Sequence, residues 1–448
     1  MSDKLRIGIC GLNRGRVHIK NSIAADNIEL VAVCDINREK ADLRAAEYGV
    51  KKVYYDHREL CVDPDIDAVI MATPIDVHAE TVIDALDAGK HVMSEVIVAT
   101  TLEDIGRIRD AIKRSGKTYM MLENYCYIRP LLIIENLVRQ GKFGEIYYAE
   151  SDYLKDFQEY NPNFPNIGGW RQKTYFGRRG HPYITHTLGP LLNIMKERVK
   201  TVTCMAAGHS FDMVADNTAG LMLETDGGHL ICLRSSFVSP RPDSVTYYSF
   251  EGTLGTYQAP QGPADYHKVY IDGVCRRGSW NAPGEWKNVY EFIGDRPKCW
   301  DKYWNAADYP ATLLDNDTYE LYDSGALMML EHFADALLNG KEAPVSFADA
   351  ANWTAAGLLS ADSVNRARAT SLRRPCWGAS SSPSGRSSTC CRPTPTTATT
   401  SRRCSRGCRS ATCASTWRSS PTRCRSRCAC SSPGWVSSST CSPSATCT

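Results

Sequence analysis

The chain has 448 residues, enough for two or three domains with separate cores. Its net charge of +2 conceals a break: residues 363–448 hold 14 Arg, 11 of the 19 Cys and no Asp, Glu or Lys, so residues 1–362 carry 38 Lys+Arg against 50 Asp+Glu. An acidic body lacks the basic face that nucleic acid requires; its singly scattered Cys show no C-x-x-C pair for zinc or disulfides, and no apolar run approaches the ~20 residues of a membrane helix.

The opening, MSDKLRIGICG, runs into a strand with no apolar signal region before it, which predicts a cytoplasmic protein. Strands follow at LRIGIC (5–10), IELVAVCD (28–35), VKKVYYD (50–56), DAVIMATP (67–74), HVMSEV (91–96) and TYMMLE (118–123). Helices fall between them, among them AETVIDALDAG (79–89) and LEDIGRIRDAIKRSG (102–116). Alternation of helices with nearly continuous apolar strands predicts an α/β domain over 1–124, a doubly wound parallel sheet.

After Asn124 the pattern changes. A helix, LLIIENLVRQG (131–141), leads into alternating runs at 145–154, 201–210, 218–237 and 245–258, which read as antiparallel strands of an open sheet. Helices at 327–340 and 348–364 close a second, α+β domain over 125–365. The remainder, 366–448, has too few apolar residues to offset chain entropy and no metal-ligand spacing among its Cys. Arg without Lys, amid Ser, Pro, Ala, Thr and Cys, points to coding sequence read in a shifted frame, and no function is assigned to this tail.

The first strand ends in Gly8-Ile9-Cys10-Gly11-Leu12-Asn13-Arg14-Gly15, an imperfect glycine-rich turn with Asn13 near an expected Gly. Asn tolerates positive φ, so a tight phosphate-facing turn built on Gly11, Asn13 and Gly15 is permitted, although such turns also occur without a ligand. Asp35, at the end of the second strand and 24 residues after Gly11, is placed to accept the ribose hydroxyls of NAD. Its charge opposes a 2′-phosphate, while Arg38 nearby leaves NADP open.

With DAVIMATPIDVHAETVIDALDAGKHV and Glu95, residues 4 to about 365 resemble the glucose–fructose oxidoreductase and inositol dehydrogenase family. Glu95-Val96, MLENYCY (121–127), FGEIYYAESDYLKDF (143–157), GGWR (168–171) and YITHTLGP (183–190) together are similar to glycoside hydrolase family 109, NAD-dependent α-N-acetylgalactosaminidases on the same fold. There, as here, the Glu is not followed by Lys-Pro; Ile184 and Thr187 depart from that family's Y-P-T-H-G-x-G-P run. The resemblance implies NAD contacts at Arg14, Gly15, Asp35, Ile75, His78, Glu95, Val96 and Asn124, and substrate contacts at Tyr153, Arg171, Tyr183 and His186. It also implies a homo-oligomer formed through the second sheet. Tyr127 is a weaker cleft candidate. Asp243 stands where the family places an aromatic residue on the sugar, which leaves N-acetylgalactosamine in doubt.

Tyr183 and His186, three residues apart, share a helical face at a turn bounded by Thr185 and by Gly189-Pro190. A helix N-terminus and a neighbouring imidazole both favour the ionised form of a phenol, which makes Tyr183 a candidate catalytic base with His186 assisting; the bland alternative is a hydrogen-bonded core pair. His78 as a helix cap and Arg171 in a surface ion pair are the corresponding alternatives for those residues. The resemblance implies transient oxidation at sugar C3, loss of the C2 proton, elimination at C1, water addition and re-reduction, without the carboxylate pair of most glycosidases. No metal is called for. The expected partner is a small glycoside or sugar. An NAD-linked sugar or cyclitol dehydrogenase and a non-catalytic sugar or NAD sensor are the competing readings, since one fold hosts all three.

Overall fold

The computed structural model describes residues 4–155, 179–207, 216–241, 247–262, 265–295, 297–301 and 320–369. The chain divides into two units, Met1–Pro375 and Cys376–Thr448, and the described residues lie in the first.

Residues 5–121 form a six-stranded parallel sheet from β1 (Leu5–Cys10), β2 (Ile28–Cys34), β3 (Lys52–Tyr54), β4 (Ala68–Met71), β5 (His91–Ser94) and β6 (Tyr119–Met121). Their order is β3-β2-β1-β4-β5-β6, with the crossover between β1 and β4. The central strands are apolar throughout because helices cover both faces: Ile7, Ile9, Val69, Ile70, Val92 and Met93 are fully buried. The helices are α1 (Gly15–Ala24), α2 (Arg38–Tyr48), α3 (His57–Cys61), α4 (His78–Asp87) and α5 (Leu102–Ser115). Sequence chemistry sets their ends. Asn37, Asp56 and Thr101 cap α2, α3 and α5 by accepting backbone N–H groups, and Gly49 and Gly116 end α2 and α5 in the left-handed conformation.

A 3₁₀ turn (Asn124–Tyr127) leads from β6 into α6 (Arg129–Arg139). The second sheet has the order β14-β13-β12-β11-β7-β10-β9-β8. Its strands are β7 (Ile146–Leu154), β8 (Val199–Ala207), β9 (Thr218–Thr225), β10 (Leu230–Ser236), β11 (Tyr247–Gly252), β12 (Gly255–Gln258), β13 (Lys268–Ile271) and β14 (Lys287–Asn288). All pairings are antiparallel except β7 with β10, which run parallel. Its inner face carries Ala149, Tyr153, Leu221, Leu233 and Phe250 against helices, among them α7 (Thr185–Met195); the outer face exposes Met205 and Met222. Helices α8 (Glu320–Leu338) and α9 (Phe347–Ala369) return to the first sheet. Glu331 on α8 accepts the Asp26 N–H, and Thr354 on α9 accepts the Val98 N–H. Among the described residues, no helix is long and apolar enough to cross a membrane.

Candidate active site

The residues expected to hold the nucleotide lie at the carboxyl edge of the parallel sheet, around the crossover between β1 and β4, the position at which open α/β sheets bind ligands. Gly11 follows β1 with φ +89°, and a Cβ there would lie 2.5 Å from the Ala72 carbonyl oxygen beyond β4. At Gly15, the first residue of α1, a Cβ would meet the Ile9 methyl at 3.0 Å, so the helix approaches its strand only because residue 15 has no side chain. Asn13 and Arg14 complete the turn, with Arg14 in helical geometry just ahead of α1. Asp35 is buried: Oδ2 accepts the Leu12 N–H (2.9 Å) and Oδ1 the Asn37 N–H (2.9 Å). These bonds hold the carboxylate against the turn. Arg38 places its guanidinium 4.1 Å from the Tyr55 ring centroid.

Glu95 stands just beyond β5, its N–H donating to Met71 O. Its Oε1 accepts from Arg14 Nε (2.8 Å) and lies 2.6 Å from His18 Nε2. Burial favours the neutral acid, but the Arg14 charge and the His18 contact outweigh it and hold the carboxyl far below the usual range. His18 was not anticipated; it faces Glu95 from within α1, and nothing in its local sequence signals the pairing. Val96 is buried, and its peptide bond to Ile97 is cis. Ile75 is buried in a 3₁₀ turn after β4. His78 opens α4 and is fully buried, with Nε2 2.6 Å from Thr73 O and Nδ1 3.1 Å from Ile97 O. Its ring therefore lies between the loops beyond β4 and β5, and burial depresses its pKa, so that as a neutral ring it donates to one of the two carbonyls.

The second half of the site is built on α7. Tyr183, half-buried and two residues ahead of the helix, has its hydroxyl 2.9 Å from His186 Nε2, with the rings perpendicular. His186 Nδ1 lies 2.6 Å from Oε1 of Glu123, which immediately precedes Asn124. The imidazole sits between Tyr125 and Tyr153, at centroid distances of 4.3 and 5.7 Å. Leu122 N–H donates to Ser94 O, so Glu123 and Glu95 emerge from neighbouring strand ends. Tyr153 also contacts Tyr183, whereas Tyr127 packs toward His332, at 5.7 Å between ring centroids. The expected helix stop at Gly189-Pro190 is not one: α7 continues to Met195. Pro190 has no N–H for His186 O, and the Tyr248 hydroxyl donates to that carbonyl instead. Arg171 and Asp243 lie outside the described residues.

The arrangement fits NAD. Gly11 and Gly15 leave backbone where side chains would intrude, and Asp35 is held beside the turn. Residues 5–123 match the model of the oxidoreductase family with an NAD-binding Rossmann fold. A glycosyl hydrolase family 109 protein of Shewanella putrefaciens is 29% identical over 400 residues, covering 81% of this chain and 83% of its own. An α-N-acetylgalactosaminidase of Shewanella oneidensis is 28% identical over 408 residues, covering 83% and 84%. Among solved structures, a levoglucosan dehydrogenase in complex with NADH and levoglucosan superposes with a TM-score of 0.65 at 19% identity, over 81% of this chain and 98% of that one. The resemblance drawn from sequence motifs thus extends over most of the chain. Residues 5–123 form an NAD-binding Rossmann fold, and the relatives support an NAD-dependent glycosidase or a sugar dehydrogenase.

Proposed function

We propose that this NAD-binding oxidoreductase-fold chain is a glycoside hydrolase that cleaves a small glycoside without net oxidation. The observation that carries the reading is the Tyr183–His186 hydrogen bond of 2.9 Å, anchored through Glu123 to the sheet edge that carries Gly11, Asp35 and Glu95. Gly11, Asn13, Arg14, Gly15 and Asp35 would hold the dinucleotide, with Ile75, His78, Glu95, Val96 and Asn124 shaping its nicotinamide half. NAD, when bound, supplies reversible hydride acceptance at a sugar carbon.

A carbonyl at C3 acidifies the hydrogen on C2, and Tyr183 removes it after passing its own proton to His186 Nε2. The resulting carbanion expels the group at C1; water adds at C1 of the unsaturated sugar, and C2 is reprotonated through Tyr183 with hydrogen exchanged from solvent. Such base catalysis contributes about 10²–10⁴ in rate. Tyr153 beside Tyr183 and Arg171 would orient the sugar. The curated relatives' names support the hydrolase reading over a simple dehydrogenase. Self-association through the sheet face that exposes Met205 and Met222 accompanies it.

A panel of aryl glycosides incubated with the NAD-loaded protein tests the proposal. Aglycone release over many turnovers without NADH accumulation is the expected result. One NADH per sugar consumed identifies a dehydrogenase, and bound NAD with no turnover of any glycoside or sugar identifies a sensor; either overturns the hydrolase.

A further inference from the structure

The hydrogen-bond chain beneath Tyr183 ends on the carboxyl group of Glu123. Glu123 is fully buried at the end of β6. Its Oε1 accepts the Tyr125 N–H (3.2 Å) and lies 2.6 Å from His186 Nδ1, while Oε2 has no hydrogen-bond partner among the described residues. A buried carboxylate with one bare oxygen is costly, and a purely structural role would be served as well by a neutral side chain. The packing brings it close to the helix. At Gly189 a Cβ would lie 3.1 Å from Glu123 Cγ and 2.9 Å from the Trp353 ring, so α7 settles onto Glu123 only because residue 189 lacks a side chain.

We infer that Glu123 is a positioning residue for proton transfer, holding His186 with hydrogen on Nδ1 and balancing the imidazolium that forms when Nε2 takes the Tyr183 proton. The inference rests on the reading of Tyr183 as base. Because Oε1 accepts, Nδ1–H donates to it, and Nε2 keeps the lone pair that faces the Tyr183 hydroxyl. In the step itself the Tyr183 O–H bond breaks and an N–H bond forms at His186 Nε2. The products are a phenolate and an imidazolium, and nothing is oxidised. The flanking rings of Tyr125 and Tyr153 present π surfaces that also favour the cation. The arrangement reproduces the logic of a carboxylate–histidine–nucleophile triad with phenol as the terminal group.

The test uses the full-length, NAD-loaded protein and Glu123→Gln, which keeps shape and an acceptor for the Tyr125 N–H but removes the charge. The expected result is a fall in kcat for aglycone release of about 10²–10⁴-fold with KM changed less than ~3-fold. In parallel, the slowly exchanging imidazole proton of the unaltered protein, assigned by its loss in His186→Asn, disappears or moves to higher field in Glu123→Gln. Unchanged kcat, or an unchanged proton signal, overturns the inference. If Glu123→Gln fails to fold, nitrogen shifts of His186 in the unaltered protein decide: hydrogen on Nδ1 supports the role, and hydrogen on Nε2 refutes it. Since the imidazole readouts do not depend on turnover, the expected tautomer without glycoside cleavage sinks the hydrolase reading alone. Cleavage with the opposite tautomer sinks the role of Glu123 alone.

Discussion

Replacing Gly11 with Ala tests the nucleotide turn where its geometry is least forgiving. The added Cβ would lie 2.5 Å from Ala72 O, 2.6 Å from Ala72 C and 2.9 Å from Thr73 N, all backbone atoms. Ala72 cannot retreat freely, because its N–H donates to Cys10 O at 2.8 Å. An L-residue at positive φ costs about 1–2 kcal/mol, and displacing packed backbone adds about 1–3, for a total of roughly 2–5 kcal/mol. Gly49→Ala is the internal control: φ is +69°, nothing lies within 4 Å of its Cβ, and only the ~1–2 kcal/mol conformational cost applies. Urea unfolding of the two variants, with NAD affinity measured by calorimetry, should separate them. Gly11→Ala should lose the larger stability and weaken NAD by at least ~10-fold, since the turn and the Leu12–Asp35 bond both shift. Equal stabilities, or NAD affinity unchanged in Gly11→Ala, would refute the argument that backbone approach at this turn creates the site.

Tyr183→Phe removes the hydroxyl while keeping the ring against His186; kcat should fall about 10²–10⁴-fold, equivalent to about 3–5 kcal/mol, with NAD binding retained. A loss below ~10-fold in steady-state kinetics would remove Tyr183 as base. Glu95→Gln leaves buried His18 without its anionic partner and should destabilise the fold by about 1–3 kcal/mol at pH 7; the partly exposed Arg14 adds little. Because the Glu95 carboxyl is depressed in the fold, its stabilisation is complete above the unfolded value of about 4.3 and declines as pH falls below it. Urea midpoints of the two proteins should therefore converge as pH drops below about 4 and stay apart above about 5; a gap independent of pH would contradict the ionic role. A chain ending after Ala369 should keep the thermal midpoint and the turnover of the full chain, as expected of a tail with one Leu and one Val between 370 and 448; loss of either would give the tail a role.

The first sheet is legible in the sequence because its central strands are buried on both faces and read as continuous apolar runs; each lies inside the segment its pattern marks, with ends that differ by no more than three residues. The second sheet is legible only in part. Alternation marks β7 to β12, but KVYI at 268–271 is too short to stand out, and no local pattern reveals that β7 pairs with β10 in parallel. Pro190 misleads because a helix stop and a helix with a carbonyl rescued by Tyr248, 62 residues away, look alike locally. Glu123 and His18 are invisible for the same reason. Each acts through a partner more than 60 residues distant, where spacing and periodicity carry no information. A signal was present for Glu123 only as an acid at a strand's carboxyl end, the position that also singles out Asp35 and Glu95.

The central claim is that a carbonyl formed transiently at C3 loosens the C2 hydrogen for Tyr183. Hydrolysis of an aryl glycoside by the NAD-loaded protein in deuterated water, with the released sugar read by NMR, measures this directly. Deuterium at C2 of every sugar released, with the NAD pool still oxidised, is the predicted result. Release of the aglycone with the original hydrogen retained at C2 would mean direct displacement at C1, and would contradict the account.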